Sequence, residues 1–248
     1  MRVNVVLVAL LMGNTTAAYV QGRSSFMRIR GGEADEPKEK RDEILARLNQ
    51  FPTFCVCNSE DKVIGIPNGE GGHDVCWFID AADAKEMLEI TVAGNEEEEG
   101  LHLGCTPLGS AFAVCNGWVD TGEADASVRY KLQGKRSLMD QAPVLREMLQ
   151  AKGIDAGCWT VPFFSSDDFQ TDSVMYFFTS ADDLRAGWVR SGRPADEAPE
   201  QPLMMDLRIL VNAMMQDGGL RFKARLVPTP DAYALSQELL DQAKATDV

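Results

Sequence analysis

Four blocks of this chain occur twice, in the same order, and a chain that echoes itself in this way is expected to build two similar units side by side. Thr53-Phe54-Cys55-Val56-Cys57-Asn58-Ser59 is echoed by Thr160-Val161-Pro162-Phe163-Phe164-Ser165-Ser166. Both are short apolar runs closed by polar turn formers, the pattern of a strand that ends in a loop. Cys76-Trp77-Phe78-Ile79-Asp80 is echoed by Met175-Tyr176-Phe177-Phe178-Thr179, each a buried strand running into a helix. Asp80 and Thr179 suit the N-cap, where a side-chain oxygen takes an orphan backbone N–H. Leu108 and Phe112 then match Leu207 and Val211 on a second helix, and Val128 to Leu132 matches Leu220 to Ala224 as an alternating strand. A closing helix follows in each half, near 138–151 and 229–243.

The two units run over 44–150 and 151–243, each in the order strand, loop, strand, helix, helix, strand, helix. The expected fold class is α/β of the mixed α+β kind: two pseudo-symmetric tandem repeats forming one body, with one mixed sheet or two joined sheets and helices packed on them. The repeats differ in length in a Gly-rich piece at 67–74 and an acidic stretch at 116–127, which is where loops take up insertions at low cost. Residues 33–43 are charged and read as a flexible lead, either disordered or the fraying start of a helix. The segment 190–202, with Pro194, Pro199 and Pro202, reads as a surface loop.

The first 32 residues follow a different rule. Arg2 precedes the apolar run Val5 to Met12, which is too short to span a membrane. Thr16-Ala17-Ala18 offers small residues at the spacing of a signal-peptidase site, and Tyr19 to Gly32 carries Arg23, Arg28 and Arg30 with no acidic residue. A secretory signal joined to a transit peptide, with an aromatic after the cleavage site, resembles the bipartite presequence of algae with complex plastids. The expectation is a plastid protein. A plain secretory signal is the other reading of the same segment.

The chain of 248 residues has a formal net charge of −14. That sign repels nucleic acid and anionic membrane, so nucleic acid is not expected as a partner and contact with membrane is peripheral at most. Neither a G-x-G-x-x-G nor a P-loop pattern is present, and Gly69-Glu70-Gly71-Gly72 carries an acid that would repel phosphate. The two histidines, His73 and His102, do not make a metal set, which needs three or four converging ligands. His73 is expected in a solvent-exposed loop and His102 on the outward face of a strand. The six cysteines lie mostly in apolar runs and read as small core residues. No catalytic, cofactor-binding or metal residue is assigned, and no cofactor is expected.

One helix is unusually apolar. Within Leu203 to Met215, residues Leu207, Leu210, Val211 and Met214 form one face, while Ile209, Ala213 and Met215 widen the apolar arc. Such a helix is buried on two sides or lines an open groove. Ile209 and Met215 are the candidate groove residues, because flexible Met surfaces suit varied clients.

Phe51-Pro52-Thr53-Phe54-Cys55-Val56, Val75 to Ala84, Leu103 to Val114 around Leu108-Gly109, Thr160-Val161-Pro162-Phe163 and Leu226-Val227-Pro228-Thr229 together resemble the Tic twenty-two family, over nearly all of 50–242. These are soluble proteins of the plastid intermembrane space, associated with the translocon at the inner chloroplast envelope, with cyanobacterial relatives in the periplasm. The resemblance implies a pseudo-twofold body with apolar pockets between sheet and helices, and a chaperone-like role in protein import. Its implied partners are unfolded plastid precursor proteins and the inner- and outer-envelope translocon components. It brings no catalytic residue with it. The acidic surface is complementary to Arg-rich transit peptides, which speeds encounter more than it tightens binding. Two other readings stay open: a structural subunit of a plastid membrane complex, or a plastid enzyme using Cys57 or Cys76 as nucleophile near His73.

Overall fold

A computed structural model describes residues 38–95, 99–119, 121, 127–171, 173–216 and 223–246. The presequence at 1–32, residues 33–37, Glu96 to Glu98, most of the acidic stretch at 120–126 and Leu220 to Phe222 lie outside the described residues. In chain order the elements are α1 (Lys38–Leu48), β1 (Pro52–Cys57), β2 (Ile66–Pro67), β3 (His73–Phe78), α2 (Ala81–Gly94), β4 (His102–Pro107), α3 (Leu108–Cys115) and β5 (Val128–Gln133). A 3₁₀ turn (Arg136–Gln141) leads into α4 (Ala142–Ala151). Then come β6 (Pro162–Ser165), β7 (Val174–Phe178), α5 (Ala181–Arg190), β8 (Leu203–Asp206), α6 (Leu207–Met215), β9 (Lys223–Val227) and α7 (Pro230–Thr246).

The strands form two sheets with the same order and directions. In the first, β4, β1, β3 and β5 lie side by side, with short β2 added at the start of β3. In the second the order is β8, β6, β7, β9. Neighbours are antiparallel except for the parallel pairs β3–β5 and β7–β9. This mixed α and β architecture is compatible with the expected duplication.

The ladders change the alignment of the two halves. Phe54 faces Phe78 in one sheet and Phe164 faces Phe178 in the other, so Phe54 is equivalent to Phe164 rather than to Val161. Likewise Cys76 is equivalent to Tyr176 rather than to Met175. A shift by an odd number of residues turns every side chain to the other face of a strand. The corrected register restores the faces: Phe54 and Phe164 both point outward, and Phe51 and Val161 both point into the central core. Two backbone bonds keep the same equivalence, Leu108 N–H to Phe51 O and Leu207 N–H to Val161 O, each 2.9 Å.

The helices start where side-chain chemistry allows. Asp80 accepts from the N–H groups of Ala82 and Asp83 at the start of α2. Ser180, one residue beyond the expected Thr179, caps α5 through Asp183 N–H, while the Thr179 hydroxyl donates to the Asp183 carboxylate. Thr229 Oγ1 accepts from Ala232 N–H, with Pro230 at the first position of α7. Helix α1 begins at Lys38, within the segment read as a flexible lead or a fraying helix start, because Ile44 and Leu48 one turn apart are drawn into the core. It lies against α3 so closely that a Cβ on Gly109 would strike the Leu45 carbonyl. The Gly-rich insert is a hairpin joining β2 to β3: Asn68 Oδ1 accepts from Glu70 and Gly72, and Glu70 pairs with Arg129. His73 accordingly opens strand β3 rather than standing in an exposed loop, and is partly buried there.

One core spans both halves. The inner faces of the two sheets meet α1, α3 and α6 around Phe51, Trp77, Phe112, Phe163, Phe177 and Leu210. Phe51 and Phe163 touch edge to face across the seam, with ring centres 5.9 Å apart. The closing helices are exchanged. Helix α7, which ends the second half, packs on β1 and β4 of the first sheet, and α4, which ends the first half, packs on β8 of the second. Neither half covers both of its own sheet faces.

Candidate binding surface

Of the two readings of helix α6, buried on two sides or lining an open groove, the packing favours the first: Leu207, Leu210 and Val211 lie in the central core. Residues 203–206 form strand β8, paired with β6, and the helix starts only at Leu207 with Asp206 as its cap. Met215 is 6% exposed and belongs to the central core, so it is corrected from groove candidate to core residue. Helix α1 lies against α6 and belongs to the same core. Ile209 is partly exposed. The two residues are not brought together on one open surface.

Helix α6 carries instead a buried charged group. Arg208 and Asp206 are 5% and 0% exposed, and their side chains meet at 3.1 Å. Arg208 also donates to the carbonyls of Asp155, Ala156 and Trp159, and its guanidinium lies 4.1 Å from the Trp159 ring centre. Asp206 accepts from Val161 N–H. The pair clamps the linker between the halves onto the start of β6. The sequence holds one hint of it, an Asp-Leu-Arg step at the start of an apolar helix.

The two outer sheet faces are covered unequally. On the first sheet, α2 and α7 seal an apolar layer in which Phe54, Val56, Ile64, Cys76, Phe78 and Leu103 are all buried. On the second, Phe164, Phe178 and Leu184 are the buried members. Leu138, Phe169, Tyr176, Met204 and Val227 pack around them only partly buried, beside Met139, which is 60% exposed. Phe169 stacks on Phe178 and tilts against Trp188, and Arg193 lies 4.4 Å from the Trp188 ring centre. The Trp188 indole N–H donates to Pro194 O, which pins the 190–202 loop beside this face. The result is a partly open apolar face with an aromatic floor, set between α5 and the 3₁₀ turn before α4.

The thiols have a different geometry from the one considered for a cysteine nucleophile. His73 sits at the start of β3, opposite Pro67 and Val128, and Cys57 is the last residue of β1. The histidine beside Cys57 is His102, its direct partner in the β1–β4 ladder. Both His102 nitrogens face acceptors, Gly100 O at 3.0 Å and Asp61 Oδ1 at 2.9 Å. Burial lowers its pKa, but these two acceptors outweigh burial and raise it. Two acceptors facing the ring favour its protonated form. Cys55 and Cys57 lie with sulfurs 3.8 Å apart. The hydrogen bond from Cys55 holds the Cys57 thiol below its usual value against burial, with His102 adding to it, while Cys55 is pushed well up. Burial raises Cys76 to about 12 and Cys105 to about 11. Cys57 is 1% exposed, whereas Cys158 is exposed, against the expectation that the cysteines are core residues.

Access therefore decides reactivity here, and a thiol under a packed sheet is inert. Iodoacetamide at pH 7.5 is expected to label Cys158 within minutes, the partly buried Cys105 and Cys115 far more slowly, and the buried Cys55, Cys57 and Cys76 only after denaturation, as read by intact mass and peptide mapping. Labelling of Cys57 or Cys76 as fast as Cys158 would restore the cysteine-nucleophile reading. Among the described residues no group of three or more His, Cys, Asp and Glu side chains could hold a metal, and no helix is long and apolar enough to cross a membrane.

No family model matches the chain, and no curated protein matches it by sequence. Solved structures do. Tic22 from Plasmodium falciparum superposes with a TM-score of 0.57 at 13% identity, over 80% of this chain and 98% of that one. Tic22 from Anabaena, described with the words protein transport, superposes with a TM-score of 0.53 at 14% identity, over 80% of this chain and 97% of that one. Both alignments take in nearly the whole of the neighbour, so it is the complete body and not one half that is shared. The structural neighbours of this chain are Tic22 proteins, and its fold is the Tic22 fold.

Proposed function

We propose that this protein is a chaperone-like component of plastid protein import that holds unfolded precursors on the outer face of its second sheet. The observation that carries the reading is the unequal cover of the two sheets. Side chains of the Phe169–Tyr176–Met204 kind, more open than their counterparts on the outer face of the first sheet, offer an apolar strip to extended chain. The fold shared with Tic22 structures, one of them described with protein transport, supports import as the process. The presequence composition supports a plastid, and the intermembrane space of the envelope is the proposed compartment. Precursors and the translocon components of both envelope membranes are the proposed partners. The acidic surface, with 38 acidic against 24 basic residues, favours encounter with basic transit peptides. The reading assigns no catalysis.

Light scattering of an aggregating unfolded client, with this protein added and no ATP, tests the proposal. Suppression is expected near equimolar ratio. Tyr176→Glu and Met204→Glu, both at partly exposed positions, are expected to abolish most of it while the far-ultraviolet spectrum stays unchanged. Presequence binding should weaken as salt rises from about 50 to 300 mM, since screening shortens the reach of surface charge. A protein that leaves aggregation unchanged at tenfold excess is not a holdase.

A further inference from the structure

A cavity of about 100 Å³ opens at the seam of the two halves, where the end of β5, the turn before α4 and the segment leading into β6 converge. Its charged lining residues are Lys131, Lys135 and Arg146, with no acidic residue among those that line it. In a chain of net charge −14, that concentration of cations on one small wall is unusual. The remaining lining is largely apolar, from Leu138, Met139, Ala142, Trp159 and Pro162, with Thr160 as a hydroxyl.

The cations differ in how they are held. Lys131 is fixed by Asp74 at 2.6 Å. Burial works against the Lys131 ammonium, but the nearby Cys76 and Asp74 outweigh it and raise its pKa, so it stays charged. Lys135 lies between Asp183 at 3.5 Å and Asp80 at 3.8 Å, too far for a tight pair with either. Arg146 is exposed and has no ion pair among the described residues. A free guanidinium fork and a loosely held ammonium beside an apolar wall match a carboxylate on a small apolar body. The volume admits a group the size of a short branched acid and excludes a nucleotide.

We propose that this seam cavity is a carboxylate site: Arg146 and Lys135 receive the oxygens, and Leu138, Ala142 and Pro162 enclose the apolar part. The ligand is either a free short-chain acid or the terminal carboxylate of a peptide ending in an aliphatic residue. The site borders the precursor-binding surface proposed above and shares Leu138 and Met139 with it, while Lys131, Lys135 and Arg146 lie outside that surface.

Calorimetry on the full chain with isovalerate, isovaleramide, inorganic phosphate and N-acetyl-Ala-Ala-Val tests it. Isovalerate is expected to bind about tenfold tighter than isovaleramide, the worth of one hydrogen bond to a charged group. It should also bind tighter than phosphate, which has the charge without the apolar body. Arg146→Gln, on an exposed helical position that leaves the fold intact, should weaken isovalerate by about the same factor. The peptide binding more tightly than isovalerate identifies a chain terminus as the source, and equal binding identifies a free acid; both sustain the site. No saturable heat with isovalerate up to about 20 mM, equal affinity for acid and amide, phosphate binding as tightly as isovalerate, or an unchanged affinity in Arg146→Gln would each overturn it. Client aggregation assays on the same variant keep the two readings separate, because loss of carboxylate binding should leave holdase activity intact.

Discussion

A chain ended at Val227, lacking α7, is expected to lose its cooperative thermal transition and its near-ultraviolet dichroism and to bind a hydrophobic dye at 25 °C. The cause is the exchange of closing helices. Ala232 and Leu235, with Leu239 beside them, cover the outer face of the first sheet, well over a hundred residues away in sequence from the strands they protect. Removing them returns Phe54, Val56 and Leu103 to water along with the lost helix. Each large apolar side chain that changes environment is worth about 1.5–3 kcal/mol. Three or four of them equal the whole stability of an ordinary domain, about 5–15 kcal/mol. Leu235→Ala, which keeps the helix but empties its contact, is expected to cost about 2–4 kcal/mol by denaturant unfolding. A truncated chain that melts within about 5 °C of the intact one would show that α7 is an accessory and that the first half closes by itself.

That exchange could not be read in the sequence, and the reason is physical. Repeated blocks reveal which residues play equivalent local roles, because strand periodicity and helix caps are local. They hold no record of which neighbour an amphipathic helix chooses, since any apolar face fits any other of similar shape. Strands around Phe54, Trp77 and Phe177 were legible for the first reason, as were the starts of α2 and α7. The register was not: an echo of Thr53 with Thr160 is a likeness of composition, while hydrogen bonds place Phe54 with Phe164. Leu203 to Asp206 was read as helix because Leu and Met favour helices, but four residues at a sheet edge are decided by the pairing that β6 offers. The same error extended the apolar helix and promoted Met215 to a surface it does not reach. The seam cavity was illegible because Lys131, Lys135 and Arg146 sit on a strand, a loop and a helix, with no common period to join them.

Arg208→Met is expected to destabilise the protein by about 3–5 kcal/mol, the usual result of removing one partner from a buried ion pair. In a body of this size that is a fall of roughly 10 °C in Tm. Methionine fills much of the arginine's volume, so the loss comes from the groups left behind. Asp206, with no exposed surface, keeps two backbone donors but loses its counter-charge, and the carbonyls of Asp155, Ala156 and Trp159 lose their donor together. Arg208→Lys should recover only part of the loss, since an ammonium cannot reach three carbonyls and a carboxylate with one planar fork. The double variant Asp206→Asn with Arg208→Met separates charge from geometry. If the buried charge is what costs, the pair will lose at least about 1 kcal/mol less than the two single changes added together. Because Arg208 holds the linker that sets one half against the other, Arg208→Met should also loosen the seam. Faster proteolysis between Lys152 and Trp159 in limited digestion is the expected sign. Unchanged digestion with a full loss of stability would mean that the clamp secures α6 and β6 alone and that the linker is held by its own packing around Trp159.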